Sequence, residues 1–145
     1  MKTLSNYLTE YSQSHQHPTN IKIHLWVVPT VSLSVIGLLM SIPTPNWFPE
    51  RVDWGLLSVL FWLGFYYRLK SLRVALVTTL FYGLQVVILN FFKPHLLIPC
   101  AVVFAIAWVF QFYGHYLEGK RPSFFQDIFF LLIGPLWVMK HLGVL

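Results

Sequence analysis

The chain carries little charge for its length: of its 145 residues, 10% are charged and 57% are hydrophobic. Soluble domains carry about 25% charged residues. So few charged side chains cannot cover the surface of a soluble domain of this size, which excludes that class. The formal net charge of +5 is explained most simply by anionic lipid headgroups rather than nucleic acid, because the cations lie at the ends of apolar segments.

Cysteine and several catalytic signatures are also scarce or missing. Cys100 is the only cysteine, which excludes an intrachain disulfide and a thiolate metal cluster, and its apolar neighbours predict a buried, inert thiol. No HExxH pattern, Gly-x-Ser-x-Gly elbow or phosphate-binding glycine loop is present, so standard hydrolase and nucleotide-binding functions have no support. The first 24 residues are polar and contain no apolar core of the signal-peptide type.

Apolar runs free of Asp, Glu, Lys and Arg dominate the rest of the chain. A helix that crosses a bilayer needs about 20 mostly apolar residues. The sequence therefore predicts an all-α, polytopic membrane helix bundle in a single domain, 1–145, with four spanning helices and a fifth C-terminal helix that is short or re-entrant. The five runs are Leu25 to Pro49, Trp54 to Tyr67, Val74 to Phe92, Pro94 to Leu117, and Ile128 to Met139.

The distribution of Lys and Arg predicts the orientation. With four alternating spans, the larger group of cations falls on one side, and the positive-inside rule assigns that side to the cytoplasm. The N-terminal histidines and His115 then share the cytoplasmic face, His95 lies opposite, and His141 joins them only if the last segment turns back. The cytoplasmic cations are Lys2, Lys22, Arg68, Lys70, Arg73, Lys120 and Arg121.

Histidines near the ends of the first and fourth runs are the candidate functional residues. Imidazole is the commonest ligand of catalytic metals, and ionisable groups at membrane depth usually mark a functional site. Pro18 suits the first turn of a helix, in which Asn20 and His24 share a face. Two helices that meet along their polar faces would place His24 opposite His115. The corresponding face of the fourth run carries Gln111, His115 and Glu118.

The predicted site contains a metal, catalytic side chains and a substrate headgroup. We assign catalytic roles to His24, His115 and Glu118, and either Glu118 or Asp127 completes or supports the metal's ligand shell. Asn20 and Gln111 are predicted to contact substrate. Lys120 or Arg121 either holds a substrate carboxylate or touches lipid phosphates. The candidate metal ligands are His15, His17, His24, His115 and His141.

Two motifs resemble those of the 2-hydroxy-fatty-acid dioxygenase family, whose best-known members are fungal endoplasmic-reticulum proteins of phytosphingosine breakdown and which also has small bacterial members. The first is His15-Gln-His-Pro-Thr-Asn-(x)3-His24. The second is Gln111-Phe-(x)-Gly-His115, followed by Glu118-(x)-Lys-Arg-Pro122. The resemblance extends from about Tyr7 to Leu142, essentially the whole chain.

This resemblance implies iron(II)-dependent alpha-oxidation, in which a 2-hydroxy long-chain fatty acid and dioxygen give an acid one carbon shorter. It also implies His15, His24 and His115 as iron ligands. The fungal motif begins with two adjacent histidines, where this chain has Gln16, and has Asn before the proline, where this chain has His17. The fourth ligand is left open between His17, His141, a carboxylate and water.

Other functions fit the composition less well. Another membrane lipid-modifying oxygenase or hydroxylase would need several histidine boxes, and six histidines are too few for the full set. A small transporter or assembly protein should carry ionisable groups near the middle of its spans, whereas here they gather at one face. We expect a multi-pass protein of a bacterial inner membrane, or of the endoplasmic reticulum in a eukaryote, with its active site facing the cytoplasm. Homo-oligomerisation is left open.

Overall fold

The computed structural model describes residues 3–125 and 128–145, and all the regular secondary structure in these ranges is helical. The prediction of an all-α protein is therefore confirmed. A short 3-10 turn, Ser123–Phe125, follows the fifth helix. The six α-helices are α1 (Leu4–Ser12), α2 (Pro18–Met40), α3 (Trp54–Tyr67), α4 (Leu72–Phe91), α5 (Leu97–Glu118) and α6 (Phe130–His141).

Three of these helices, α2, α4 and α5, are long and apolar enough to cross a membrane. With 14 and 12 residues, α3 and α6 are apolar but shorter. The multi-pass architecture thus rests on three candidate spans, and the fourth crossing stays a prediction. As the sequence predicted, α2 begins at Pro18, whose missing N–H costs nothing in a first helical turn.

Helix α1 was not predicted, because the N-terminal segment reads as polar. Thr3 caps it by accepting a hydrogen bond from the Asn6 amide at 3.3 Å. Its buried residues Tyr7, Leu8 and Tyr11 recur at helical spacing and form one apolar face. That face packs on α6, where Phe130 and Trp137 lie beside the two tyrosines.

The chain divides into two compact units, 1–29 with 106–145 (unit 1) and 30–105 (unit 2). In unit 2, α3 packs along α4, and the buried hydroxyls of Tyr66 and Tyr82 are 2.9 Å apart. Cys100 is buried, as predicted. Unit 1 consists of α1, the start of α2, the end of α5 and α6, and it contains every residue of the candidate site that the structure describes.

Candidate metal centre

Three buried imidazoles meet in unit 1: His15, His24 and His115, here named the histidine triad. His15 lies in the turn between α1 and α2, His24 near the start of α2, and His115 in the last turn of α5. Their ring centroids are 4.4 to 4.9 Å apart, and one nitrogen from each ring lies within 4.8 Å of the other two. Their exposures are only 3%, 0% and 4%.

Hydrogen bonds to backbone carbonyls orient the rings of His15 and His24. His15 Nδ1 lies 2.7 Å from the Tyr11 carbonyl, and His24 Nδ1 lies 3.0 Å from the Asn20 carbonyl. Because a carbonyl can only accept, each Nδ1 carries the proton and leaves a lone pair on Nε2. This is how proteins commonly fix the tautomer of a metal-binding histidine.

The electrostatics of His15 favour its neutral form. Burial, followed by the nearby His24 imidazole, lowers the pKa of His15 to about 2, although the hydrogen bond to Tyr11 opposes the shift. The Tyr11 ring also stacks on that imidazole, with centroids 4.1 Å apart and planes 7° from parallel. A neutral imidazole has the free lone pair that metal coordination requires.

The donor set fits a divalent transition metal. His15 Nε2, His24 Nε2 and His115 Nδ1 are buried and have no hydrogen-bond partner among the described residues. Buried polar atoms without partners are costly and rare in proteins. A metal ion bound between the three nitrogens would satisfy all of them, and three ligands leave positions open for other molecules. Neutral imidazoles suit iron, zinc, copper and nickel alike, so the geometry alone does not select among these metals.

Three other predicted residues of the site also lie in unit 1. Glu118 accepts hydrogen bonds from the Gln16 and His17 amides and from the side chain of Asn20, at 2.8 to 3.0 Å. Gln111 is buried, one helical turn before His115, and its side-chain oxygen has no partner among the described residues. Asp127 lies outside the described residues.

The remaining predicted ligands do not join the triad. The exposed His17 caps α2, its Nδ1 accepting a hydrogen bond from the Thr19 amide at 3.2 Å. The His141 ring lies against that of Trp137, with centroids 3.9 Å apart and planes tilted by 41°, and its Nδ1 donates to the Trp137 carbonyl. Of the five histidines predicted as ligands, the structure brings three together.

Comparison with known proteins places the chain in a family. The model of the Mpo1-like family, described as 2-hydroxy-palmitic acid dioxygenase Mpo1-like, matches residues 1–144. The chain belongs to this family. It is also 30% identical over 148 residues to the 2-hydroxy-palmitic acid dioxygenase MPO1 of Saccharomyces cerevisiae, an alignment that covers 94% of this chain and 77% of the yeast protein. No solved structure matches the chain.

Sequence reasoning missed the aromatic support of the histidine triad. Trp137 is 1% exposed, its ring lies 5.2 Å from that of His15, and its indole N–H donates to the Ser12 hydroxyl at 3.1 Å. The Tyr11 ring contacts both of these rings in the same cluster, with centroids 4.1 Å from His15 and 5.6 Å from Trp137. The apolar spacing of Tyr7, Leu8 and Tyr11 was the available signal, since it is typical of an amphipathic helix that ends just before His15.

Proposed function

We propose that the protein is an iron(II)-dependent dioxygenase that carries out alpha-oxidation of 2-hydroxy long-chain fatty acids. The observation that carries this proposal is the histidine triad, whose free nitrogens face one another in a buried site. Membership of the Mpo1-like family and the yeast relative named as a 2-hydroxy-palmitic acid dioxygenase support the same reaction.

In this proposal the triad supplies all the protein ligands. The backbone hydrogen bonds on the far side of the His15 and His24 rings keep their Nε2 lone pairs directed inward, so little ordering of these two ligands is needed when iron binds. When bound, iron(II) supplies the redox chemistry that lets dioxygen react with an organic substrate. The hydroxyl and carboxylate oxygens of a 2-hydroxy acid suit the open positions as a chelating pair.

The proposed reaction balances without a further reductant. A 2-hydroxy acid and dioxygen give the acid one carbon shorter, carbon dioxide and water. The bond between C1 and C2 breaks, the two carbons together lose four electrons, and dioxygen takes up all four. The protein therefore needs no separate electron-carrying cofactor for this stoichiometry.

A shallow pocket beside His115 offers a place for the substrate. Its volume is about 440 Å³, and it lies between the outer face of α5 and the loop that follows. We propose that Arg121, exposed at this pocket, binds the carboxylate through its planar fork. Lys120 is instead occupied by the Gln13 carbonyl, 2.7 Å from its ammonium group. The acyl chain would lie along Phe112 and Tyr116, which are 49% and 80% exposed.

We also propose that α3 is the fourth membrane crossing and that the site faces the cytoplasm. His24 near the start of α2 and His115 at the end of α5 have ring centroids 4.8 Å apart. A chain that starts and ends at one membrane face crosses an even number of times, which α2, α4 and α5 alone do not satisfy. At about 21 Å, α3 is short, but local thinning of the bilayer and snorkelling cations accommodate such spans.

Single cysteines in a Cys100→Ser background test this topology. With four crossings, Ser5→Cys and Leu69→Cys react with a membrane-impermeant maleimide only when the cytoplasmic face is accessible, and Glu50→Cys and His95→Cys react only from the opposite side. If Leu69→Cys reacted from the same side as Glu50→Cys, α3 would not cross and the proposed topology would be wrong.

An anaerobic reconstitution tests the activity. The purified protein is loaded with iron(II), and then dioxygen and 2-hydroxypalmitic acid are added. We expect about one iron per chain, oxygen consumption that matches substrate loss, and pentadecanoic acid as the product by mass spectrometry. Palmitic acid, which lacks the 2-hydroxyl, is the matched control and should remain unchanged. Stoichiometric iron without any shortened acid would overturn the proposed reaction.

A further inference from the structure

The carboxylate of Glu118 joins the end of α5 to the start of α2. It accepts a hydrogen bond from the His17 amide at 2.8 Å, and each of its two oxygens lies 3.0 Å from the Gln16 amide nitrogen. These amides immediately precede Pro18, at the N-terminus of a 23-residue helix. Backbone N–H groups at a helix N-terminus need acceptors, and a negative charge is favourable there. Glu118 therefore acts as a capping group supplied by a different helix.

The side chain of Asn20 extends this connection to the triad. Its amide nitrogen donates to Glu118 at 3.0 Å and to the Ser14 carbonyl at 3.2 Å, which uses both of its hydrogens. Its backbone carbonyl accepts from His24. Asn20 thus connects Glu118 both to a triad imidazole and to Ser14, the neighbour of His15 in the chain.

Gly114 lets the two helices approach closely enough for these bonds. A Cβ atom at this position would collide with Asn20 Oδ1 and lie 3.4 Å from His24 Cε1. Glycine at this point of α5 therefore has a steric reason, since any side chain would push Asn20 or His24 away from its present position.

We propose that Glu118 and Asn20 form a latch that sets the spacing of the histidine triad, and that Glu118 is a positioning residue and not a metal ligand. The inference rests on the proposed metal site. Both Glu118 oxygens are occupied by N–H donors, and these donors belong to the segment that carries His15 and His24. Glu118 itself follows His115 by three residues, so one carboxylate holds all three ligand-bearing segments together.

Cobalt(II) titration of the metal-free, detergent-solubilised protein tests the latch. Cobalt(II) has visible absorption bands that report its coordination. Glu118→Gln keeps the side-chain size but replaces one acceptor oxygen by an NH2 donor that opposes the backbone amides. We expect cobalt affinity to fall about ten- to hundredfold, as is typical when a group that orients a ligand is lost, while the spectrum at saturation stays unchanged. Glu50→Gln, an exposed glutamate in unit 2, is the control and should bind like the wild type.

Each outcome separates the latch from the proposed function. A wild-type protein that binds no cobalt would overturn the metal site itself. If the wild type binds and Glu118→Gln binds equally well, the latch is wrong. A changed spectrum at saturation would make Glu118 a ligand and would also overturn the proposal. Measurements are made well below the melting temperature of each variant, so a general loss of stability does not reproduce the expected result.

A glycine pair tests the latch without removing a polar group. Gly114→Ala should weaken cobalt binding because its Cβ displaces Asn20, whereas Gly83→Ala, with nothing within 4 Å of the added Cβ, should not. If Glu118→Gln fails to fold, the comparison of Gly114→Ala with Gly83→Ala still tests whether the latch sets the spacing of the triad. Equal affinities for the two alanine variants would contradict a role of the α2–α5 approach in spacing the triad.

Discussion

The two units differ in how completely their buried polar side chains are paired among the described residues. In unit 2 the buried Tyr66 and Tyr82 hydroxyls bond across helices at 2.9 Å, and the buried Gln85 amide donates to the Ser32 hydroxyl at 3.0 Å. The buried Asp53, at the start of α3, forms an ion pair with the exposed Lys93. In unit 1 each triad imidazole keeps one buried nitrogen without a partner among the described residues. Paired groups join helices, whereas an unpaired buried polar group is costly unless something binds it.

The largest effect should come from removing the unpaired groups. His24→Ala and His115→Ala each delete one of three metal ligands, so we expect loss of stoichiometric metal, measured by elemental analysis, together with loss of product formation. His95→Ala is the matched control, because that histidine is exposed and lies in unit 2. Equal damage from His95→Ala would show that the site has been placed on the wrong residues.

Acid should weaken the metal-free protein through unit 1. The pKa of His15 is about 2 when folded and about 6.5 when unfolded. The unfolded chain therefore binds more protons below pH 6.5, and the stability contributed by the neutral imidazole, complete above that pH, is lost progressively as the pH falls. Between pH 7.5 and 5.5 this loss is about 1.4 kcal/mol, visible as a lower melting temperature. His15→Gln should flatten the dependence, and an unchanged slope would contradict the assignment.

A smaller change is expected from breaking a pair in unit 2. Tyr82→Phe removes its hydrogen bond to Tyr66 and should cost about 1 kcal/mol, or about 2–4 °C in melting temperature, without changing metal content. Tyr67→Phe breaks the more exposed bond to Thr79 and should cost less. If the Tyr82→Phe variant lost its metal, unit 2 would also be needed for metal binding, and the functional distinction between the two units would be wrong.

The smallest effect concerns the substrate headgroup. Arg121→Gln should raise KM for 2-hydroxypalmitic acid about fivefold and leave kcat nearly unchanged, since an exposed cation contributes about 1 kcal/mol or less. Lys140→Gln, which alters an exposed cation on α6, is the control in steady-state oxygen consumption. A fall in kcat with unchanged KM would argue against a headgroup-binding role.

Much of the fold follows from local patterns in the sequence. Hydropathy predicts α2, α4 and α5, and Pro18 correctly marks the start of α2. Helix α1 was missed because its apolar face is short and surrounded by polar residues, so only packing on α6 reveals its role. Likewise, hydropathy cannot decide whether the 14 residues of α3 cross the bilayer, whereas the meeting of His24 and His115 supports the crossing.

The sequence by itself determined that the protein is helical and rich in membrane-length apolar segments, and it brought Asn20 with His24, and Gln111 with His115, onto single helix faces. These are properties of a few neighbouring residues, set by hydropathy and the helical repeat. The family resemblance implied His15, His24 and His115 as ligands, but only the tertiary structure decided that His17 and His141 lie apart from them and that Glu118 binds the N-terminus of α2. Those outcomes depend on hydrogen bonds between segments about a hundred residues apart, and no local pattern encodes which partners such bonds choose.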